Sequence, residues 1–266
     1  MYITDNMMFG RLSLQAGLRV DWIPDDKIYV QPRISASYDV SEELTATASF
    51  GLYKQFASLM PYWNPQGNAL TIWNFTDTIF LSSVHSLAGL AYSRDGWLLS
   101  VEGYLKKNQN ELNYIYNHID ASNTLWGADV YLKKEWQKQT IFGSYSLVST
   151  PKPQKNVGQE IKSGAVVSFN SFHFSTTYVY GAGFPYLTTG GRTPDVSDNP
   201  YSRLDMSLIY RLQLKNYRIL AGASLLNVFD ASNIKYSYRI SDQYNVFNAY
   251  IKAAPRTPIV FFEIIF

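Results

Sequence analysis

The chain has 266 residues, enough for one large domain or two ordinary ones, and a formal net charge of only +2. Basic residues are scattered, so charge gives no argument for nucleic-acid binding. The absence of cysteine excludes disulfides, thiol catalysis and zinc–thiolate sites, and no stretch approaches the roughly 18 apolar residues of a spanning helix.

Alternation of apolar and polar residues is the dominant pattern along the chain, and no segment has the period of a helix. It is regular in the segments 32–40, 44–52, 172–180 and 203–212. It is less regular in the segments 11–21, 84–94, 96–107, 125–136, 139–150, 160–170 and 217–228. With the first and last segments, the pattern predicts an all-β chain of about 13 strands.

The predicted connections alternate between tight turns and long loops. Tight turns are expected at 39–43, 94–96, 137–138, 170–171 and 213–216. Longer loops, rich in aromatic residues, Asn and Pro, are expected at 55–80, 108–123, 150–159, 184–200 and 238–250, with a shorter one at 22–27. An antiparallel up-and-down meander with turns at one end and loops at the other is the plan of a transmembrane β-barrel.

Each predicted strand has one apolar and one polar face. In the segment 203–212, Leu204, Met206 and Leu208 alternate with Arg203 and Asp205. Soluble sandwiches and lipocalin-like barrels alternate too, so the pattern alone does not decide which face meets lipid. Arg or Lys facing lipid near mid-membrane costs roughly 2–4 kcal/mol, so a barrel would turn its charges to the lumen. The charged residues predicted to face the lumen are Glu102, Asp129, Lys133, Arg203, Asp205, Arg211 and Glu263.

The C-terminal stretch "RTPIVFFEIIF" favours the lipid-facing interpretation. Val260, Phe262, Ile264 and Phe266 would share one wholly apolar face of a last strand. An aromatic last residue preceded by apolar residues at every second place resembles the recognition signature of bacterial outer-membrane proteins. The resemblance implies that the barrel assembly machinery reads these four residues as an insertion signal.

Several stretches together resemble the C-terminal half of a TonB-dependent outer-membrane receptor, most like those of the Bacteroidetes. They are "YITDNMMFGRLSLQAGLRVDW" (2–22), "QPRISASYDVSEELTATASFGLYKQ" (31–55), "GADVYLKKEWQKQTIFGSYSLV" (127–148), "NPYSRLDMSLIYRL" (199–212), "LLNVFDASNIKYSYRI" (225–240) and the ending. The resemblance implies a periplasmic turn at about Gly10, a location in the Gram-negative outer membrane and TonB-energised uptake of a siderophore, haem, cobalamin, oligosaccharide or peptide. It implies contact with outer-membrane lipid and with the TonB complex through an N-terminal plug, and neither catalysis nor a cofactor.

Residues 1–266 are therefore expected to be the C-terminal part of one transmembrane barrel domain. About 12–13 of the 22 strands of a plugged barrel would be present, with the plug and signal peptide missing. The alternative is a complete small outer-membrane barrel that acts as a passive pore or an adhesin. An outer-membrane hydrolase is a more remote possibility, since no serine has the context of a nucleophile elbow.

Aromatic residues in the predicted loops are the candidate ligand contacts, because their rings could stack on a sugar, a haem or a catecholate. They are Tyr62, Trp63, Trp73, Phe75, Tyr114 and Tyr116. Packing of the loops on one another, or an aromatic girdle, is the alternative role. His85, His118 and His173 are too far apart in sequence for metal-ligand spacing, so no metal site is predicted.

Overall fold

The computed structural model describes residues 1–23, 27–63, 69–75, 80–113, 118–149, 158–181, 185–187, 194–196, 200–215, 217–241 and 246–266. Every helix or strand assigned in these residues is a β-strand. In chain order they are β1 (Tyr2–Phe9), β2 (Leu12–Ile23), β3 (Lys27–Asp39), β4 (Leu44–Gln55), β5 (Ala57–Trp63), β6 (Ala69–Phe75), β7 (Leu81–Arg94), β8 (Trp97–Asn113), β9 (His118–Trp136), β10 (Gln139–Val148), β11 (Gly158–Phe169), β12 (Phe172–Gly181), β13 (Pro185–Leu187), β14 (Pro194–Val196), β15 (Tyr201–Gln213), β16 (Arg218–Leu226), β17 (Ile234–Ser241), β18 (Val246–Lys252) and β19 (Thr257–Ile265).

Thirteen of the described strands form one antiparallel sheet, in the order β1-β2-β3-β4-β7-β8-β9-β10-β11-β12-β15-β16-β19. Each main strand pairs with the next one along the chain, so the predicted all-β meander of about 13 strands is confirmed. The other strands form three separate hairpins, β5–β6, β13–β14 and β17–β18. These hairpins lie in or overlap connections that the sequence predicts only as long loops, so the prediction missed their six strands.

Strands β8 and β9 are longer than predicted. They contain 17 and 19 residues and pair as far as Asn113 opposite His118, so the predicted loop 108–123 is wrong as well. A barrel strand needs only about 9–11 residues to cross a bilayer. Beyond that length neither face has to be apolar, and the alternation that reveals a strand is lost.

The main strands reverse direction at the predicted tight turns, and in four of these turns the backbone enters the left-handed region. The φ angles are +60° at Gly10, +49° at Asp95, +76° at Gly96, +50° at Gln137 and +52° at Asn170. Two-residue hairpins favour positive φ at their first central position, because such turns match the twist of the flanking strands. All these turns join ends on the same side of the sheet, hereafter the turn end. The connections at the opposite loop end are longer, except those of three residues between β2 and β3 and of four residues between β8 and β9.

Strand register carries the alternation across the whole sheet. Leu208 of β15 lies opposite Phe174 of β12 and Ala223 of β16. Ser207, on the other face, lies opposite Ser175 and Ser224. The predicted two faces are confirmed, and pairings across the sheet place the charged residues predicted to face the lumen together on the polar face.

The apolar face of the sheet is exposed. No hydrophobic side chain in the described part of the chain is buried, and Phe50, Leu90 and Val260 are 46%, 52% and 81% exposed. Removing such a side chain from water stabilises a fold by about 1.5–3 kcal/mol. A single sheet that exposes so large an apolar face would therefore be unfavourable in water.

The polar face is concave. One cavity on this face is bordered by side chains of six consecutive main strands, among them Arg19 of β2, Tyr53 of β4 and Leu125 of β9. Side chains on six strands can border one cavity only if the sheet curves toward them. The strand order leaves β1 and β19 as the two edges of this curved sheet.

Candidate functional site

Four of the six candidate ligand-contacting aromatics lie on one hairpin, the β5–β6 hairpin at the loop end. Tyr62 and Trp63 belong to β5, and Trp73 and Phe75 belong to β6. In the register of the hairpin, Trp73 is opposite Leu59 and Trp63 is opposite Ala69. The side chain of Trp73 is 65% exposed and is available for contact.

The other two candidate aromatics, Tyr114 and Tyr116, lie outside the described residues. The structure therefore places Tyr62, Trp63, Trp73 and Phe75 on one hairpin, and it says nothing about their distance from Tyr114 and Tyr116.

An aromatic cluster that the sequence did not predict stands at the base of the β5–β6 hairpin. The ring centroid of Tyr29 is 5.1 Å from that of Phe56 and 4.8 Å from that of Phe80, and the last two are 5.0 Å apart. The Lys54 ammonium lies 4.8 Å from the centroid of Phe80 and donates a hydrogen bond to Ser82 Oγ. These contacts hold the two ends of the hairpin together.

On the turn-end side of this cluster, cationic and imidazole side chains form one row across the strands on the polar face. Pairing places Arg33 of β3 opposite Gly51 of β4, Gly51 opposite His85 of β7, and His85 opposite Lys106 of β8. Arg33, His85 and Lys106 are called the cationic row below. Residues paired in this way lie on the same face of a sheet, about 4.5–5.5 Å from their neighbours.

Tyr53 fills the gap that Gly51 leaves in the row. Its ring lies so close over Gly51 that an added Cβ would be 2.8 Å from Tyr53 Cε2. The ring centroid is 4.5 Å from the Arg33 guanidinium carbon and 4.3 Å from the centroid of the His85 ring. A residue with a side chain at position 51 would push this ring away, so the glycine builds the contact between strands β3 and β7.

A cavity of about 500 Å³ opens over the cationic row, a size typical of small-molecule sites. Arg33, His85 and Lys106 line it together with Arg19 and Lys54, and no carboxylate is among its lining residues in the described chain. Arg33 Nε is buried and has no hydrogen-bond partner in the described part of the chain.

A carboxylate beside the cavity, that of Asp21, is already engaged by two of its lining residues. Asp21 accepts hydrogen bonds from Arg19 Nε, at 2.9 Å and 3.1 Å, and from the amide of Gln31. Gln31 is only 1% exposed, and its Oε1 accepts a hydrogen bond of 2.9 Å from the Lys54 backbone N–H. Gln31 thereby closes the space between β3 and β4 at the upper edge of the cavity.

The remaining polar wall carries acidic groups and internal ion pairs. Glu102 and Asp129 lie directly opposite each other on β8 and β9. Arg203 Nε is paired with Asp205 at 2.8 Å, and Lys133 Nζ with Glu135 at 3.1 Å. The charge of the polar face is therefore divided, with excess positive charge over strands β3 to β8.

A second cavity, of about 560 Å³, lies on the polar face between β8 and β15. Tyr104 and Tyr201 border it, Glu160 supplies a carboxylate, and Gly158 and Gly181 leave room at its floor. It lies beside the cationic row, because Lys106 Nζ is 5.0 Å from the Tyr104 ring centroid.

The three histidines do not converge. His85 belongs to the cationic row, His118 begins β9, and His173 Nδ1 is 2.8 Å from Ser168 Oγ. His173 lies on the polar face, opposite Ile209 of β15. No group of three or more potential metal ligands lies together in the described residues.

The four residues of the C-terminal signature lie on or directly after the edge strand β19. Its pairing with β16 places Val260 opposite Ala223, Phe262 opposite Ala221 and Ile264 opposite Ile219, all on the apolar face. Their exposed fractions are 81% for Val260, 66% for Phe262, 42% for Ile264 and 94% for Phe266.

Aromatic residues mark both ends of the exposed apolar face. Those near the loop end are Trp22, Trp126 and Tyr180, and those near the turn end are Tyr38, Tyr92, Trp97, Phe169 and Phe172. Aromatic girdles around an apolar band are typical of strands that cross a membrane. With the concave polar face and the antiparallel meander, they define the wall of a transmembrane β-barrel. The described residues contain no helix long and apolar enough to cross a membrane.

Comparison with family models identifies the kind of barrel. Residues 1–228 match the model described as "TonB dependent receptor-like, beta-barrel", so the chain belongs to this family. Its members are receptors and transporters of the Gram-negative outer membrane, not enzymes. A search of curated proteins found no match.

Solved structures support the same fold. The siderophore receptor PirA of Pseudomonas aeruginosa is 14% identical with a TM-score of 0.64; the match covers 100% of this chain and 48% of that one. The ferric yersiniabactin uptake receptor FyuA of Yersinia pestis is 12% identical with a TM-score of 0.62, with 98% and 45% covered. The ferric preacinetobactin receptor BauA of Acinetobacter baumannii is 12% identical with a TM-score of 0.60, with 97% and 41% covered. The chain thus spans less than half the length of these receptors.

Proposed function

We propose that this chain forms part of the barrel of a receptor that takes up a scarce nutrient across the Gram-negative outer membrane with energy from the TonB complex. The family match over residues 1–228 carries the proposal. The polar concave face would line the lumen, and the exposed apolar face would contact outer-membrane lipid. The nutrient is a small molecule or short oligomer: a siderophore, haem, cobalamin, oligosaccharide or peptide.

Residues 1–266 are the C-terminal part of one barrel domain in this proposal. A barrel crosses lipid only when it is closed, because each unpaired N–H or C=O group costs several kcal/mol in hydrocarbon. Here β1 and β19 stand at opposite ends of the strand order. Further strands, such as those of a 22-stranded plugged barrel, would pair with both edges, and contact with the TonB complex would be made by the plug.

The β5–β6 hairpin is the proposed ligand-contacting part of the loop end, which is extracellular in barrels of this type. Its aromatic residues Tyr62, Trp63, Trp73 and Phe75 would stack on the nutrient, together with Tyr114 and Tyr116 of the β8–β9 connection. The exposure of Trp73 and the anchoring of the hairpin by Tyr29, Phe56 and Phe80 support this role.

The apolar residues Val260, Phe262, Ile264 and Phe266 are proposed to be the signal that the barrel assembly machinery recognises. Their exposure along an edge strand supports this, since an edge strand offers both side chains and unpaired backbone groups to a partner. An origin in the Bacteroidetes remains a prediction from the sequence resemblance.

Uptake measurements test the function. A strain that lacks the protein is compared with a complemented strain, each with and without functional TonB, for uptake of labelled ferric siderophores, haem, cobalamin, oligosaccharides and peptides. We expect uptake of one class to require both the protein and TonB. Uptake that requires the protein but persists without TonB would favour the passive pore, and unchanged uptake of every class would contradict transport.

A further inference from the structure

We propose that the cationic row is a binding site for the oxyanionic group, a carboxylate or phosphate, of a small solute in the lumen. The inference rests on the proposed function, because the solute would reach the wall through the lumen. It names a chemical class of ligand and a site within the strands, separate from the aromatic residues of the loop end.

The first argument is the spacing of the two positive groups, Arg33 and Lys106, and of the imidazole of His85 between them. His85 and Lys106 are direct neighbours across β7 and β8, and Arg33 lies two strands from His85 in the same row. At about 4.8 Å between strands, the three Cα positions span roughly 15 Å. Long Arg and Lys side chains can converge over this distance on one anion, and the cavity of about 500 Å³ leaves room for the rest of the solute.

The second argument is the state of Arg33. Tyr53 covers one face of its guanidinium with a cation–π contact and fixes the orientation of the fork. Its Nε is buried without a hydrogen-bond partner in the described chain. A buried N–H donor that is left unpaired is unfavourable, and a planar guanidinium matches the geometry of a carboxylate or phosphate. Because Arg33 lines the cavity, an oxyanion bound there would pair with this guanidinium.

The third argument is the lack of a neutralising carboxylate beside the row. None of the ion pairs among the described side chains includes Arg33 or Lys106. Asp21 is bound to Arg19 and Gln31. Glu102 is four residues from Lys106 along β8, or about 13 Å. The positive potential over the cavity is therefore left for a ligand.

The experiment measures binding of citrate to the native protein, extracted from outer membranes in detergent, by calorimetry. Raffinose, which is neutral, is the comparison solute. The variants are Arg33→Met and Lys106→Met, which remove a charge from the row, and Arg33→Lys, which keeps the charge but loses the planar fork. Arg218→Met is the matched control, because Arg218 is an exposed cation on the polar face of β16, away from the cavity. Heat-modifiable migration in gel electrophoresis establishes that each variant is folded.

We expect citrate to bind, raffinose not to bind, and the affinity for citrate to fall at least tenfold in Arg33→Met and in Lys106→Met. Arg33→Lys should retain part of the affinity, and Arg218→Met should bind like the wild type. Equal losses in Arg33→Met and Arg218→Met would show only diffuse charge attraction and overturn the site.

Failure of citrate to bind would also overturn the proposal. Carbodiimide coupling of the Lys106 amine to a carboxylate of the same polypeptide would then show that the row binds a protein segment instead of a solute. TonB-dependent uptake of a neutral nutrient, with unchanged uptake in Arg33→Met, would refute this inference while leaving the proposed function intact.

Discussion

Replacement of Asn227 by alanine should loosen the base of the last long loop far more than the same change at an exposed turn. Asn227 is fully buried between β16 and β19, with a φ of +51°. Its Nδ2 donates hydrogen bonds to the carbonyls of Ala231 and Ala254, at 3.0 and 3.1 Å, and its Oδ1 accepts one from the Ala231 N–H at 3.1 Å. The side chain therefore ties two distant parts of the connection 227–256 together.

The magnitude follows from these contacts. Three hydrogen bonds at about 1 kcal/mol each give about 3 kcal/mol, and a left-handed alanine adds about 1–2 kcal/mol. Asn170 is the matched control, since it is an exposed asparagine in a tight turn with a φ of +52°. Asn170→Ala should cost only the backbone term. The two variants should therefore differ by about 3 kcal/mol, or about 150-fold in the local opening equilibrium.

Hydrogen–deuterium exchange of the native protein in detergent measures this opening. In Asn227→Ala, we expect the amides of Val228, Ala231 and Asn233 to exchange at least about 150-fold faster than in the wild type, the factor that the lost hydrogen bonds alone would give, because they are held in or beside this hydrogen-bonded loop. Peptides from β15 should keep their protection, and Asn170→Ala should leave the loop unchanged. Equal exchange of the loop in the two variants would refute the role of the buried amide.

Two further substitutions test the turn and the hairpin. Gly96→Ala should destabilise the protein more than Gly10→Ala, as measured by urea unfolding. Both glycines have positive φ, but only at Gly96 would a Cβ collide with the Glu135 carbonyl. Equal unfolding midpoints for the two variants would contradict this. Trp73→Ala should weaken equilibrium binding of the transported nutrient about tenfold or more. Trp22 is an exposed tryptophan on the apolar face, so Trp22→Ala should leave this affinity unchanged. Wild-type affinity in Trp73→Ala would show that the hairpin does not contact the ligand.

The sequence predicts the main sheet well, because each spanning strand must alternate to separate lipid from lumen. Residues such as Leu208 and Ser207 reveal their faces locally, and pairs such as Asp95-Gly96 mark the turns through their backbone preferences. The hairpins at the loop end escape prediction because they are not constrained by lipid. There the polar end of β8 and the short β5 lack a regular alternation.

The cationic row could not be predicted from sequence in the same way. A slip of two residues between β3 and β4 would keep every side chain on its face, yet it would move Arg33 away from Gly51. The contact among Arg33, Tyr53 and His85 depends on the registers of two strand pairs at once. It depends also on the small size of Gly51, whose role becomes visible only when the ring above it is seen.

Site-directed labelling of β15 tests the central claim most directly, that this sheet is a barrel wall with its apolar face in lipid and its polar face in the lumen. Residues 1–266 contain no cysteine, so a single substitution in β15 places one label in this part of the protein. Fluorophores at Met206→Cys and Leu208→Cys in the native protein in bilayers should be quenched by doxyl lipids. Those at Ser207→Cys and Ile209→Cys should be shielded from doxyl lipids and face the lumen. The reverse pattern, or equal quenching of neighbouring positions by lipid, would contradict the account.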